Sequence, residues 1–177
     1  MRWFRHVDRR CAFLWETAAQ PEARWHGAGE GPAQYLADTP AGAWAELIRH
    51  EAITDPDDLV DVIRALWAIE IPDDEPANAA VPELRAAMLA GGTDSYQPCQ
   101  HEARRLRANG SAAIEAPSAA LVSGAAAPER TDGGLRPGTP ADGRVLVLFG
   151  PRPHLDGWRV VVGGHLDPDL LAVTRPL

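Results

Sequence analysis

The stretch Gln34-Tyr35-Leu36-Ala37-Asp38-Thr39-Pro40-Ala41-Gly42-Ala43-Trp44-Ala45-Glu46-Leu47-Ile48-Arg49-His50 changes periodicity halfway along. Its first part, Ala33 to Ala37, reads as a short strand. Thr39 followed by Pro40 then gives an N-cap residue and a proline in the first helical turn, the usual chemistry of a helix start. From there to about His50 the chain reads as a helix, with Trp44, Leu47 and Ile48 on one inward stripe. A strand therefore runs straight into an amphipathic helix.

Working outward in both directions, further elements alternate without a regular repeat. Trp3 to Val7 reads as a first strand. Asp8 to Ala19 reads as a helix with Cys11, Leu14 and Trp15 on one face. Gly27 to Pro32 is a turn-rich loop. Ala65 to Ile71 alternates like a strand and stops at Pro72. Val81 to Ala90 and Gln100 to Ala108 read as helices, the second closed by Asn109-Gly110. Ala112 to Ala116 is a strand before Pro117-Ser118. Arg144 to Phe149 and Trp158 to Val162 read as a late strand pair. The expected fold is α+β, one compact domain over residues 1–177 with short mixed strands and several helices. Between 119 and 144, 8 of 26 residues are Gly or Pro, which marks a long loop rather than a linker.

Composition narrows the chemistry. The formal net charge is −8, which opposes a nucleic-acid or anionic-membrane partner. All 17 basic residues are Arg and none is Lys. That excludes Schiff-base enzymes, P-loop and kinase-type phosphoryl transfer, and Ser-x-x-Lys acylases. Guanidinium remains available for phosphate. Cys11 and Cys99 form no metal or disulfide pattern, the six His are scattered, and no metal is expected. The N-terminus lacks the apolar run of a secretory leader, and the longest apolar run, Val145 to Phe149, is far too short for a membrane span. A cytoplasmic protein is expected. Gly27, Gly29 and Gly31 fail as a dinucleotide fingerprint because Pro32 stands where a glycine is needed and a strand follows. His50-Glu51 and His101-Glu102 have no second His at zincin spacing, and Ser118 has no G-x-S-x-G elbow.

A set of polar residues in apolar settings is left: Arg24 beside Trp25, Tyr35 in a strand, Glu46 near the edge of the helix stripe, and Ser118 after a strand and a proline. Taken singly, each has an ordinary structural explanation: a surface ion-pair partner, a core aromatic, a solvated helix carboxylate, a turn residue.

Taken together, Arg24-Trp25-His26, Gln34 to Pro40, Trp44-Ala45-Glu46, His50, and the later Gln100-His101-Glu102-Ala103, Leu106, Gly110 and Ala116-Pro117-Ser118-Ala119 resemble the RES domain family, named for an arginine, a glutamate and a serine. The resemblance implies an α+β fold similar to ADP-ribosyltransferase toxins. It implies an enzyme that consumes NAD as substrate by cleaving the nicotinamide–ribose bond, passing the ribosyl group to water, phosphate or a protein. It also implies the toxin of a bacterial toxin–antitoxin pair, with a cognate antitoxin as partner. By position, Glu46 and Arg24 map onto catalytic residues, and Arg24, Tyr35 and Ser118 onto NAD-binding ones. A carboxylate suits an oxocarbenium-like transition state, a guanidinium fork suits pyrophosphate, a phenol can pack nicotinamide, and a hydroxyl can fix ribose. Glu22, Ala23 and His26 stand where the family commonly has Gly, Gly and Asn. This keeps open a second reading, a degenerate RES-like module that binds a nucleotide or protein without turnover.

Overall fold

The junction of strand and helix around Thr39 forms as its sequence dictates. In the computed structural model, which describes residues Met1–Leu177, strand β2 (Ala33–Ala37) is followed by helix α1 (Pro40–His50). Thr39 caps the helix: its backbone is extended and its Oγ1 accepts the Gly42 amide at 3.0 Å. A Cβ on Gly42 would lie 3.1 Å from Thr39 Oγ1 and 3.2 Å from Ala37 Cβ, so the absent side chain lets the first turn press against the strand.

Around this pair the other elements are β1 (Arg2–Val7), β3 (Arg64–Glu70), α2 (Asp74–Ala77), α3 (Ala86–Leu89), α4 (Tyr96–Ala108), β4 (Ala113–Pro117), β5 (Glu129–Thr131), β6 (Leu135–Pro137), β7 (Arg144–Phe149), β8 (Gly157–Gly164) and α5 (Leu170–Val173). Six strands make one sheet in the order β4-β7-β2-β1-β3-β8, with every neighbour antiparallel; β5 and β6 pair apart as a hairpin. This is the α+β architecture expected.

Alternate residues of β7 divide the core between the two sheet faces. Val145, Val147 and Phe149 pack with Trp25, Ile114 and with Cys99, Ala103 and Leu106 of α4. Leu146 and Leu148 pack with Trp3, Leu36, Ile69 and Ile71. Helix α1 buries Ala43 against Ala37 and Leu66, and Leu47 and Ile48 against Leu59 and Leu166.

Four expectations are corrected. Residues 8–19 are not helical. The Gln34 amide accepts from the Trp15 N–H at 2.9 Å and donates to the Trp15 carbonyl at 2.6 Å, and Gln20 makes the same pair of hydrogen bonds with Ala33. The Gln34 amide thus takes up the two backbone groups of Trp15 that a helix would have paired within itself. The helix expected over 81–90 shrinks to α3, one turn. The strands 144–149 and 158–162 both exist but do not pair with each other: β7 lies between β2 and β4, whereas β8 is the far edge beside β3. The segment from 119 to 144 is not a uniform loop. Ala119, Ala120, Leu121 and Ala126 are buried, and the β5–β6 hairpin and residues 139–142 after it are exposed.

Candidate active site

A cavity of about 190 Å³ opens where α1, the ends of β1 and β2, the Arg24 turn and the chain after β4 converge. Phe4 and His6 come from β1, Tyr35 and Ala37 from β2, Glu46, Arg49 and His50 from α1, Tyr96 from the start of α4, and Pro117 and Ala119 from either side of Ser118. Arg24, Tyr35 and Glu46 thus line one space.

Ser118 joins them through Glu46. Its hydroxyl donates to Glu46 Oε1 at 3.0 Å and accepts the backbone amides of Ala120 at 3.2 Å and Leu121 at 3.1 Å. The two amides fix the oxygen, and its single proton points at the carboxylate. Gly143 allows this close packing: its carbonyl accepts the Ser118 amide at 2.7 Å, and a Cβ there would lie 2.8 Å from Leu121 Cδ1. The sequence placed Ser118 beyond a strand; the structure puts it opposite a helix residue far away in the chain.

Glu46 is enclosed by protein while cavity solvent still reaches it. Burial pushes its pKa above the ordinary glutamate value, against the Ser118 hydrogen bond and the charges of Arg24 and Arg49. Tyr35 Oη accepts the Trp25 amide at 2.9 Å and lies 3.0 Å from His26 Nδ1. Burial pushes the phenol upward, so it remains protonated. His6 stacks on Trp44 with ring centroids 6.4 Å apart. Burial, reinforced by Arg5, lowers the pKa of His6 to about 3, and its Nδ1 is buried without a hydrogen-bond partner.

Arg24 is spoken for differently from expectation. Instead of presenting an open fork, it donates to Ser95 Oγ at 2.6 Å, to the Gly91 carbonyl at 2.6 Å and to the Met88 carbonyl at 3.2 Å, with its guanidinium 5.1 Å from the Tyr96 ring centroid. Arg49, which the sequence reading passed over, shares the Gly91 carbonyl at 2.7 Å. Its only sequence signal is its place one turn after Glu46, a position that reads equally well as a favourable cation at a helix C-terminus.

An enclosed carboxylate, oriented by a hydroxyl and flanked by a neutral phenol and two guanidiniums, can stabilise a transient cation on a ligand that also carries negative charge. No group of His, Cys, Asp and Glu is arranged to hold a metal. The RES domain model matches residues 2–159. The chain belongs to the RES domain family. Comparison with curated proteins finds no match.

Proposed function

We propose that this chain consumes NAD, cleaving the nicotinamide–ribose bond as a glycohydrolase, phosphorylase or ADP-ribosyltransferase, and that it is the toxin of a toxin–antitoxin pair whose antitoxin is its protein partner. The observation that carries the reading is the Glu46–Ser118 pair inside a cavity shared with Tyr35 and Arg24. As the C1′–N bond breaks, its electron pair leaves with nicotinamide and positive charge grows on the ribose. Glu46 opposes that charge, and the fixed Ser118 proton sets which carboxylate oxygen faces it. Tyr35 packs the nicotinamide ring. Water, phosphate or a protein side chain then attacks C1′ and gives up its proton to Glu46 or solvent.

The cavity is smaller than the roughly 300–1,000 Å³ common for sites that enclose a drug-sized ligand. It suits a nicotinamide riboside end, with the adenosine half along the mouth. The test is NAD depletion by the purified chain with water, phosphate or cell lysate as acceptor, reading free nicotinamide. Release supports the enzyme. Binding of NAD with no release under any acceptor would leave a binding module.

A further inference from the structure

Arg24 and Arg49 are 7% and 5% exposed, yet neither meets a carboxylate. Every ion pair in the chain is elsewhere, on Arg10, Arg64, Arg104, Arg105, Arg107, Arg144, Arg152 and the N-terminal amine. All oxygens that Arg24 and Arg49 touch are uncharged. Arg49 donates through Nη2 to the carbonyls of Gly91 at 2.7 Å and Ala90 at 2.9 Å, and through Nη1 to the Ala119 carbonyl. The Gly91 oxygen therefore bridges both cations, at 2.6 Å from Arg24 and 2.7 Å from Arg49. Arg49 Nε is buried with no acceptor at all.

Buried charges are normally paired, because desolvation without a counter-charge is costly. Here two like charges face one neutral oxygen, and burial together with Arg24 lowers the pKa of Arg49. Glu46 is the one anion whose charge reaches them, but it bonds to Ser118 and to neither guanidinium, and one carboxylate against two cations leaves positive charge in excess. The missing partner is an anion with several oxygens.

The resemblance already turns Arg24 toward the pyrophosphate of NAD; we propose that Arg49 is the second limb of that phosphate or pyrophosphate receptor, and that the Gly91 carbonyl is a resident substitute for one of the anion's oxygens, displaced when the anion binds. The turn that carries this carbonyl is held mainly by the two guanidiniums themselves and little by core packing. Helix α3 before it has four residues and buries none of them. Gly91 and Gly92 follow in succession, and a Cβ on Gly91 would lie 2.8 Å from the Ala87 carbonyl and 2.9 Å from Ser95 Cβ, so only glycine allows the carbonyl its present position. The inference rests on the NAD reading only for which larger molecule carries the anion; the receptor itself stands on the unpaired charges.

The test is calorimetric titration of inorganic pyrophosphate, inorganic phosphate and ADP-ribose into the full chain at fixed ionic strength, with chloride as control. Hydrogen exchange over residues 88–92 is followed in parallel. Pyrophosphate should bind one to one. Arg49→Lys keeps the charge but loses the fork, and should weaken binding about 10-fold or more. Gly91→Ala should strengthen binding several-fold by forcing the carbonyl off the guanidiniums. Amides at 88–92 should exchange faster with pyrophosphate bound, the reverse of ordinary ligand protection.

Absence of binding at millimolar pyrophosphate overturns the receptor. Binding with slowed or unchanged exchange at 88–92 overturns the displaced carbonyl. ADP-ribose binding tighter than phosphate assigns the site to a dinucleotide, and the reverse order assigns it to a free phosphate acceptor. Nicotinamide release without pyrophosphate binding would reject the receptor and keep the enzyme. Pyrophosphate binding without nicotinamide release would do the opposite.

Discussion

Glu46 of α1 and Glu102 of α4 are both helical glutamates largely covered by protein, and their environments drive them in opposite directions. Glu102 accepts two bonds from the Arg105 fork, at 2.7 and 2.8 Å, and one from the Glu83 amide at 3.0 Å. Its pKa falls to about 2, chiefly through Arg105. Glu46 takes its side-chain hydrogen bond from one hydroxyl and has Arg24 and Arg49 near it but bonded to neither, and burial outweighs both and raises it. A carboxylate satisfied on every side holds a helix to its neighbour. One with an oxygen to spare, facing a cavity, is held ready for something else.

The sharpest way to break this contrast is Glu46→Gln. The amide keeps the shape and removes the charge, so nicotinamide release should fall on the order of 100-fold or more. Melting temperature should hold or rise, because the largest influence on Glu46 is the desolvation of its charge, which the amide removes. A wild-type rate would reduce Glu46 to a second Glu102.

Ser118→Ala comes next. It strips Glu46 of its donor and leaves two amides without their acceptor, costing about 1–3 kcal/mol of stability by denaturant unfolding. Turnover should fall less than in Glu46→Gln. Because Glu46 would lose a bond that favours its charged form, the pH below which activity disappears should move upward.

Acid stability tests the cavity's other unusual titrating group. His6 is neutral in the folded protein down to about pH 3, whereas an unfolded histidine takes a proton near 6.5. As pH falls from about 6.5 towards 3, only the unfolded chain gains that proton, so stability must decline, by up to about 1.4 kcal/mol per pH step. His6→Asn should flatten the upper part of this limb. Glu102 adds its own loss only lower, between about 4.5 and 2, where its folded carboxylate protonates. A limb identical in wild type and His6→Asn would show that His6 is solvated.

Glu102→Gln should cost only about 1 kcal/mol, since Arg105 is itself partly exposed, and should leave NAD turnover alone. The smallest effect should come from excising Glu129 to Pro137. The hairpin is exposed throughout and its ends already meet, with the Gly138 amide on the Pro128 carbonyl at 2.6 Å. Melting should shift by no more than a few degrees. If the hairpin also shields the cavity from water, the share of hydrolysis product should rise; an unchanged product ratio would make it a tolerated insertion.

The sequence announced β2 and α1 because their signals are local: an N-cap, a proline, a stripe and a strand before them. It misled over residues 8–19 because the decisive partner, Gln34, takes both backbone groups of Trp15 from outside the segment. The β7–β8 pairing misled for a similar reason: two adjacent strand patterns suggest a hairpin, and nothing local shows that β7 inserts between β2 and β4. Within the site, Arg24, Tyr35, Glu46 and Ser118 stood out through the order of a family pattern. Arg49 did not, because its three acceptors are backbone carbonyls that any residue could supply.

The position of β7 also sets when the cavity can exist. Ser118 follows β4, and β4 reaches β2 only by way of β7, the strand that ends at Phe149. On a ribosome, a chain that has emerged only through residue 120 already carries Arg24, Tyr35, Glu46 and Ser118, yet has no strand to seat the serine against the glutamate. The site closes only after most of the polypeptide has been synthesised, so a product of translation that stops short of β7 lacks the assembled cavity, which forms abruptly as β7 docks rather than residue by residue.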